Sequence, residues 1–116
     1  MQLVIGGAWQ GKLRWAMREY GFSATEVCDL AAEDPRPDCR CYLHLEELTR
    51  RDAAPERWLP YFENGVVISR EIGCGVVPMD AAQRQWRERH GALLQLLAQR
   101  AERVTRVFCG LTEELK

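Results

Sequence analysis

The sequence lacks any long run of apolar residues: no stretch of its 116 residues approaches the eighteen or so that a membrane-spanning helix needs. Its apolar start, Met1 to Ile5, has no basic residue before it and runs into Gly6 and Gly7, so we expect no secretory signal peptide. Neither sign of charge is in excess, because 16 Lys and Arg residues face 17 Asp and Glu residues. General nucleic-acid binders and polybasic membrane-surface proteins are normally basic. We therefore expect no nucleic-acid partner and no membrane partner.

A cysteine framework is also missing. The five cysteines are odd in number and have no regular spacing: Cys28, Cys39, Cys41, Cys74 and Cys109. Without a secretory signal they are typical of reduced thiols in the cytoplasm. Cys39 and Cys41, together with Cys28 and His44, do not have the spacing of common zinc motifs, so we predict no metal site. A small metal or redox protein that uses these cysteines is an unrelated alternative.

The length predicts a single domain over residues 1–116. The apolar patterns predict alternating strands and helices. The strands are expected over 3–5, 25–30, 39–45, 66–69 and 104–109, and the helices over 12–20, 46–52, 55–62 and 81–102, with a polar tail at the end. Gly21 is expected to end the first helix and Asp80 to cap the last. This order predicts an α/β, P-loop-like three-layer domain with a mostly parallel sheet of about four to five strands.

One motif carries chemistry. Gly6 to Lys12 fits G-x-x-x-x-G-K, the first seven positions of a P-loop, between an apolar strand and a helix. Glycines let backbone N–H groups surround phosphate oxygens, the helix N-terminus adds positive charge, and Lys12 would reach the outer phosphates. The candidate nucleotide-binding residues are Gly6, Gly7, Ala8, Trp9, Gln10, Gly11, Lys12 and Leu13. On the motif alone, a glycine-rich turn with a surface lysine is an equally good interpretation.

Position 13 departs from the P-loop pattern. A working P-loop has Ser or Thr there, whose hydroxyl binds Mg²⁺, whereas this chain has Leu13. Leucine cannot ligate a metal. The loop can still hold phosphate, but we expect phosphoryl transfer to be weakened.

Two segments together resemble a known family. The start, MQLVIGGAWQGKLRWA, and the end, VVISREIGCGVVPMDAAQRQWRERHGALLQLLAQRAERVTRVFCGL, resemble the bifunctional adenosylcobinamide kinase / adenosylcobinamide-phosphate guanylyltransferase of cobalamin biosynthesis. The most specific part is the loop from Arg70 to Pro78, which is similar to the family's Asn-Glu-Val-Gly-x-Gly-x-Val-Pro. Residues 25–64 stand where most of the family's middle section is missing.

The resemblance implies a nucleotide-binding protein that takes GTP or ATP with Mg²⁺ and, if active, transfers a phosphoryl group to cobinamide. It implies Lys12 and Glu71 as catalytic residues and a homo-oligomer as the assembly. Glu71 would contact Mg²⁺, nucleotide or the incoming hydroxyl, or would only stabilise its turn. Leu13 and the missing middle favour an alternative: an inactive relative that binds nucleotide, phosphate or a corrinoid, or serves as a partner subunit.

The guanylyltransferase step is not expected, because the family's acceptor histidine lies in the missing section. His44 is chemically competent as an acceptor, since imidazole is a nucleophile for phosphorus, but no family motif surrounds it. We interpret it as a surface or structural residue. His90 lies on the apolar stripe of the longest helix and is predicted to belong to the core or to an interface.

Overall fold

The central sheet has six strands in the part of the chain that the computed structural model describes, residues 1–7, 11–72 and 80–116. The strands are β1 (Gln2–Gly6), β2 (Val27–Asp29), β3 (Cys41–Leu43), β4 (Val66–Arg70), β5 (Arg103–Phe108) and β6 (Leu111–Glu114). The α-helices are α1 (Lys12–Tyr20), α2 (Leu45–Arg51), α3 (Leu59–Phe62) and α4 (Ala81–Arg100), with 3₁₀ turns at Ala24–Glu26 and Pro55–Trp58.

The strand order is β2-β3-β4-β1-β5-β6. Every pair is parallel except β5 with β6, so the expected mostly parallel α/β sheet is confirmed. β1 lies between β4 and β5, which follow much later in the chain. Because the carboxyl ends of parallel strands share one edge of the sheet, the segments after β1 and β4 are brought together there.

Helices cover both faces of the sheet. Val4 packs with Ala16 of α1 on one face, whereas Leu3 packs with Leu93 and Leu97 of α4 on the other. This alternation is the period-two pattern of a strand, and it buries β1 on both sides. The arrangement is the three-layer domain that the sequence predicts.

The two predicted helix ends are confirmed. Gly21 follows α1 with φ of 69°, and its N–H donates to the Met17 carbonyl oxygen, a left-handed cap that glycine adopts without strain. Asp80 caps α4 through its Oδ1, which accepts from the Ala82 amide at 2.7 Å. These caps fix where α1 leaves, and α4 enters, the core.

The third predicted strand, 39–45, is too long. The strand covers only Cys41–Leu43 because His44 adopts φ of 64° and Leu45 begins α2. The second, 25–30, is also shorter than predicted. A capping box between Ser23 and Glu26 starts a 3₁₀ turn at Ala24, and the strand follows only at Val27–Asp29.

The predicted polar tail is wrong for the residues after Gly110. Cys109 and Gly110 both have positive φ and form a two-residue turn, and β6 then returns antiparallel to β5. Arg103 holds the hairpin closed, donating from Nε and Nη2 to the two oxygens of Glu114 at 2.8 and 2.7 Å. This strand brings the sheet to six strands, beyond the four or five expected.

Candidate functional site

The carboxyl end of β1 approaches its neighbours closely at Gly6. The Glu71 amide, just after β4, donates to the Gly6 carbonyl oxygen at 2.8 Å. On the other side, a β-carbon at Gly6 would overlap the backbone carbonyl oxygen of Val107. A glycine is therefore required at the first position of the P-loop pattern for packing alone.

Gly11 precedes α1 and adopts φ of 79°, which favours glycine. It stands at the N-cap position with no side chain to satisfy the first amides of α1. This N-terminus comes directly after the loop that follows β1 in the chain. Free N–H groups and the positive end of a helix favour an anion at such a place.

The Lys12 ammonium turns back toward the same loop. Its Nζ donates to the Gly7 carbonyl oxygen at 2.6 Å. Burial lowers the pKa of Lys12 below its ordinary value, while the charges of Glu46 and Glu71 act in the opposite direction. The structure thus brings Lys12 to Gly7, and within electrostatic reach of two carboxylates.

Glu71, the second predicted catalytic residue, lies at the same edge of the sheet as Lys12. Its Oε1 is 3.4 Å from Nε of Arg106, an ion pair between the segment after β4 and strand β5. The Arg106 Nε is buried and has no hydrogen-bond acceptor among the described residues. Glu71 is therefore held beside β1 by its own amide and by the charge of Arg106.

Sequence reasoning missed Glu46. It is 4% exposed, and its Oε1 accepts from the Arg70 amide at 2.9 Å. A buried carboxylate is rare unless it is paired, and here its hydrogen bond joins α2 to the end of β4, within electrostatic reach of Lys12. No sequence signal identifies it, because Glu46 and Glu47 look alike in a short polar helix and only the fold buries one of them.

Leu13 does not supply what a P-loop metal site needs. Its side chain packs against the cluster between α1 and the sheet. Among the described residues, no three His, Cys, Asp or Glu side chains lie close enough together to hold a metal ion. Position 13 therefore lacks the hydroxyl that holds Mg²⁺ in a working P-loop.

Several predicted positions lie outside the described residues. These are Ala8, Trp9 and Gln10 of the first loop, and residues 73–79, which include Cys74 and most of the family-like late loop.

The remaining candidates have structural partners. Nδ1 of His44 lies 2.7 Å from Oδ1 of Asp29 across the ends of β3 and β2. His90 is fully buried, which confirms its predicted place in the core. Burial raises the pKa of Cys28 to about 11 and that of Cys41 to about 12, so both thiols are poor nucleophiles at neutral pH. Cys28, Cys39 and Cys41 are free thiols, in agreement with the reduced cysteines that the sequence predicts.

No helix in the described ranges is long and apolar enough to cross a membrane.

The comparison with known proteins decides the family. The family described as cobinamide kinase / cobinamide phosphate guanyltransferase matches residues 46–115, more than half of the chain. The chain belongs to this family. The match includes Glu46, Glu71 and Arg106, so these three charged residues of the site belong to the segment that the family model covers.

A relative from Pseudomonas aeruginosa, the bifunctional adenosylcobalamin biosynthesis protein CobP, is 41% identical over 51 residues. That alignment covers 44% of this chain and 30% of the relative. The chain thus spans less than a third of the length of the curated relative that it matches.

Proposed function

We propose that this family member binds the phosphate end of GTP or ATP at the carboxyl edge of β1 and serves cobalamin biosynthesis. The observation that carries the proposal is the position of Lys12, whose Nζ lies 2.6 Å from the Gly7 carbonyl oxygen. A lysine at a helix N-terminus that turns back to the glycine after the preceding strand is in the position from which a P-loop lysine recognises terminal phosphates.

Phosphate would displace the Gly7 carbonyl from the ammonium. The exchange replaces a neutral acceptor with a charged one, so the hydrogen bond of the ammonium becomes stronger. Phosphate also keeps Lys12 protonated, because a nearby negative charge favours the charged form. Binding thus offsets the burial that lowers the pKa of Lys12.

The reaction that this site would serve is phosphoryl transfer to cobinamide. A bond would form between the γ-phosphorus and a hydroxyl oxygen of cobinamide, and the bond to the β-phosphate oxygen would break. Glu71 would accept the hydroxyl proton, and Lys12 would stabilise the charge on the phosphate oxygens. Since Leu13 offers no oxygen, no step is assigned to Mg²⁺.

A second candidate is favoured by that same residue. Without the hydroxyl at position 13, the chain would bind nucleotide or phosphate as an inactive relative, or would pair with another subunit. Guanylyl transfer is not part of either proposal, because His90 is buried and no family motif surrounds His44. A cytoplasmic location and a homo-oligomeric assembly remain predictions.

The test is calorimetric titration with GTP and ATP, each with and without Mg²⁺, on the wild type and on Lys12→Ala. Lys116→Ala is the matched control, because Lys116 Nζ donates to the carbonyl oxygens of Ala98 and Gln99, at the opposite end of the chain. We expect wild-type binding that Lys12→Ala loses and Lys116→Ala keeps. Equal binding by all three proteins, or by none, would reject the site.

A second assay separates the two candidates. Label from γ-labelled GTP or ATP is followed into cobinamide. Transfer that is lost in Lys12→Ala supports the kinase, whereas nucleotide binding without any transfer supports the inactive relative.

A further inference from the structure

The buried imidazole of His90 joins α2 and β4, the two elements that carry Glu46 and Arg70. His90 of α4 is fully buried. Its Nδ1 lies 2.8 Å from the Thr49 hydroxyl on α2, and its Nε2 lies 2.9 Å from the Ser69 hydroxyl on β4. Thr49 and Ser69 are themselves completely buried. The ring therefore spans the gap between helix and sheet with a hydrogen bond at each end.

We propose that His90 is a positioning residue for the phosphate site: it holds α2 and the end of β4 in the register that keeps the Glu46 carboxylate within electrostatic reach of Lys12. The inference rests on the proposed phosphate-binding role of Lys12. It adds a residue that touches neither the ligand nor the loop and acts through Glu46.

The geometry behind the proposal is a closed circuit of short contacts. Thr49 follows Glu46 by three residues, so both lie on one face of α2. Ser69 is adjacent to Arg70, whose amide donates to Glu46. The His90 bridge and this hydrogen bond therefore join the same two elements at neighbouring positions. Removing the ring leaves the Glu46 contact as the remaining polar link of this circuit.

Glu46 in turn acts on Lys12. The charge of Glu46 is the strongest of the nearby charges that favour the protonated lysine, against the burial that disfavours it. A Glu46 carboxylate that moves away would lower the pKa of Lys12 further and weaken the ammonium as a phosphate ligand. A displacement of Glu46 that follows the loss of His90 would therefore change the pKa of Lys12.

The hydrogen-bond pattern also selects one tautomer of the ring. Each hydroxyl has a single proton, and the neutral ring has one donor and one acceptor. If Nε2 carries the proton, it donates to Ser69, and the Ser69 hydroxyl keeps its bond to the Arg70 carbonyl oxygen at 3.0 Å. Thr49 then donates to Nδ1.

In this tautomer Thr49 gives up its bond to the Glu46 carbonyl oxygen, which still accepts from the Trp86 indole N–H at 3.1 Å. The opposite tautomer would take the Ser69 proton away from Arg70. The Nε2–H form is therefore the one that leaves both carbonyl oxygens with a donor.

The sequence provides an internal reference for each residue that the test observes. Lys12 and Lys116 are its only lysines, and His44 and His90 its only histidines. In protein labelled at lysine side chains, Lys116 is an internal reference for the titration of Lys12. In protein labelled with ¹⁵N-histidine, His44 is the reference for the ring nitrogens of His90.

The decisive variants are His90→Leu, which removes both hydrogen bonds at similar volume, and Leu97→Ala as control. Leu97 is fully buried on the same helix and lies outside the circuit, so its truncation destabilises the core without touching Glu46. Thr49→Val and Ser69→Ala each remove one hydroxyl and serve if His90→Leu does not fold. All are compared at a temperature where each protein is folded.

We expect wild-type spectra with the His90 proton on Nε2. In His90→Leu, or in the two hydroxyl variants, the Lys12 pKa falls while that of Lys116 stays, and inorganic tripolyphosphate binds about five- to tenfold more weakly. Leu97→Ala changes neither. A Lys12 titration and an affinity that match those of Leu97→Ala would overturn the proposal.

Failure of the proposed function is distinguishable from this result. If wild-type protein binds no tripolyphosphate but His90→Leu still lowers the Lys12 pKa, the positioning role stands and the phosphate site falls.

Discussion

Gly6 and Val107 pack backbone against backbone, so closely that a β-carbon on Gly6 would overlap the Val107 carbonyl oxygen. The contact joins the end of β1 to β5, directly before the loop that leads to Lys12. The first glycine of the motif is therefore fixed by the sheet as well as by any ligand.

From this contact we predict that Gly6→Ala destabilises the fold by about 1–3 kcal/mol, because the backbone of β1 or β5 must shift to admit the methyl group. Gly91→Ala is the control: nothing lies within 4 Å of a β-carbon at Gly91, in the middle of α4. Alanine there should stabilise the protein by up to about 1 kcal/mol. Urea unfolding measures both, and equal effects of the same sign would contradict the packing argument.

The leucine at position 13 leads to a second prediction. Leu13→Ser restores the hydroxyl of the P-loop pattern, and we expect nucleotide binding to become dependent on Mg²⁺, which wild-type binding should not be. Leu13→Ala is matched to it, since it loses the same packing against the α1 cluster and gains no oxygen. Both variants should lose about 1–2 kcal/mol of stability. The same response to Mg²⁺ in both would show that position 13 does not bear on metal use.

The third prediction concerns pH. Burial lowers the pKa of His90 below its ordinary value of 6.5, against the charge of Glu46 on α2 and together with that of Arg70 on β4. The unfolded chain therefore binds this proton at a higher pH than the folded chain. As the pH falls below 6.5, the free energy of unfolding should fall by up to about 1.4 kcal/mol per pH unit on account of this residue.

Denaturant melts of wild type and His90→Leu at a series of pH values between 4 and 8 check this expectation. The other ionisable groups are common to both proteins, so the difference between the two curves isolates His90. The wild-type curve should fall more steeply toward acid. Parallel curves would mean that the ring takes up its proton equally in the folded and unfolded states.

The fourth prediction concerns the terminal hairpin. Arg103 binds both oxygens of Glu114 and also donates to Glu19 of α1 at 3.0 Å. Lysine keeps the charge but not the forked geometry. In Arg103→Lys, backbone amides of β6 should exchange with solvent severalfold faster, while those of β1 stay protected. Hydrogen exchange measured by NMR gives both rates, and unchanged β6 amides would indicate that the backbone pairing alone holds the strand.

Much of the fold follows from local patterns. The apolar run before Gly6 and Gly7, the stop at Gly21 and the cap at Asp80 predict β1, α1 and α4 to within a residue or two at most boundaries. Each of these signals lies within one turn or one strand of the chain, and contacts with distant residues do not override it. The parallel sheet then follows from the alternation of strands and helices.

The failures have a different origin. The alternating pattern over 39–45 predicts a strand that continues through His44. In the structure, His44 pairs with Asp29 and Leu45 is buried, and α2 begins at Leu45. The turn at Cys109 and Gly110 lacks the Asn-Gly or Asp-Gly pair that is typical of a two-residue hairpin turn. In both places contacts made across the sheet decide the local structure.

The site was predicted only in part for the same reason. A motif in sequence finds Gly6 and Lys12, because their spacing is itself the signal. Glu46 and His90 join the site through the packing of α2 and α4 on β4, and no spacing along the chain announces that. The contribution of Glu46 to the environment of Lys12 is therefore visible only in three dimensions.

The central position of β1 in the sheet has a consequence for how the chain folds. Gln2 pairs with Val66 of β4 on one side and with Arg103 of β5 on the other. The pairing of β1 in the sheet therefore cannot be complete until both later strands are present. Such distant pairings are slow to form, since long loops must close before any contact rewards them. We therefore expect the contact between Gly6 and Val107, which joins β1 to β5, to form late in folding.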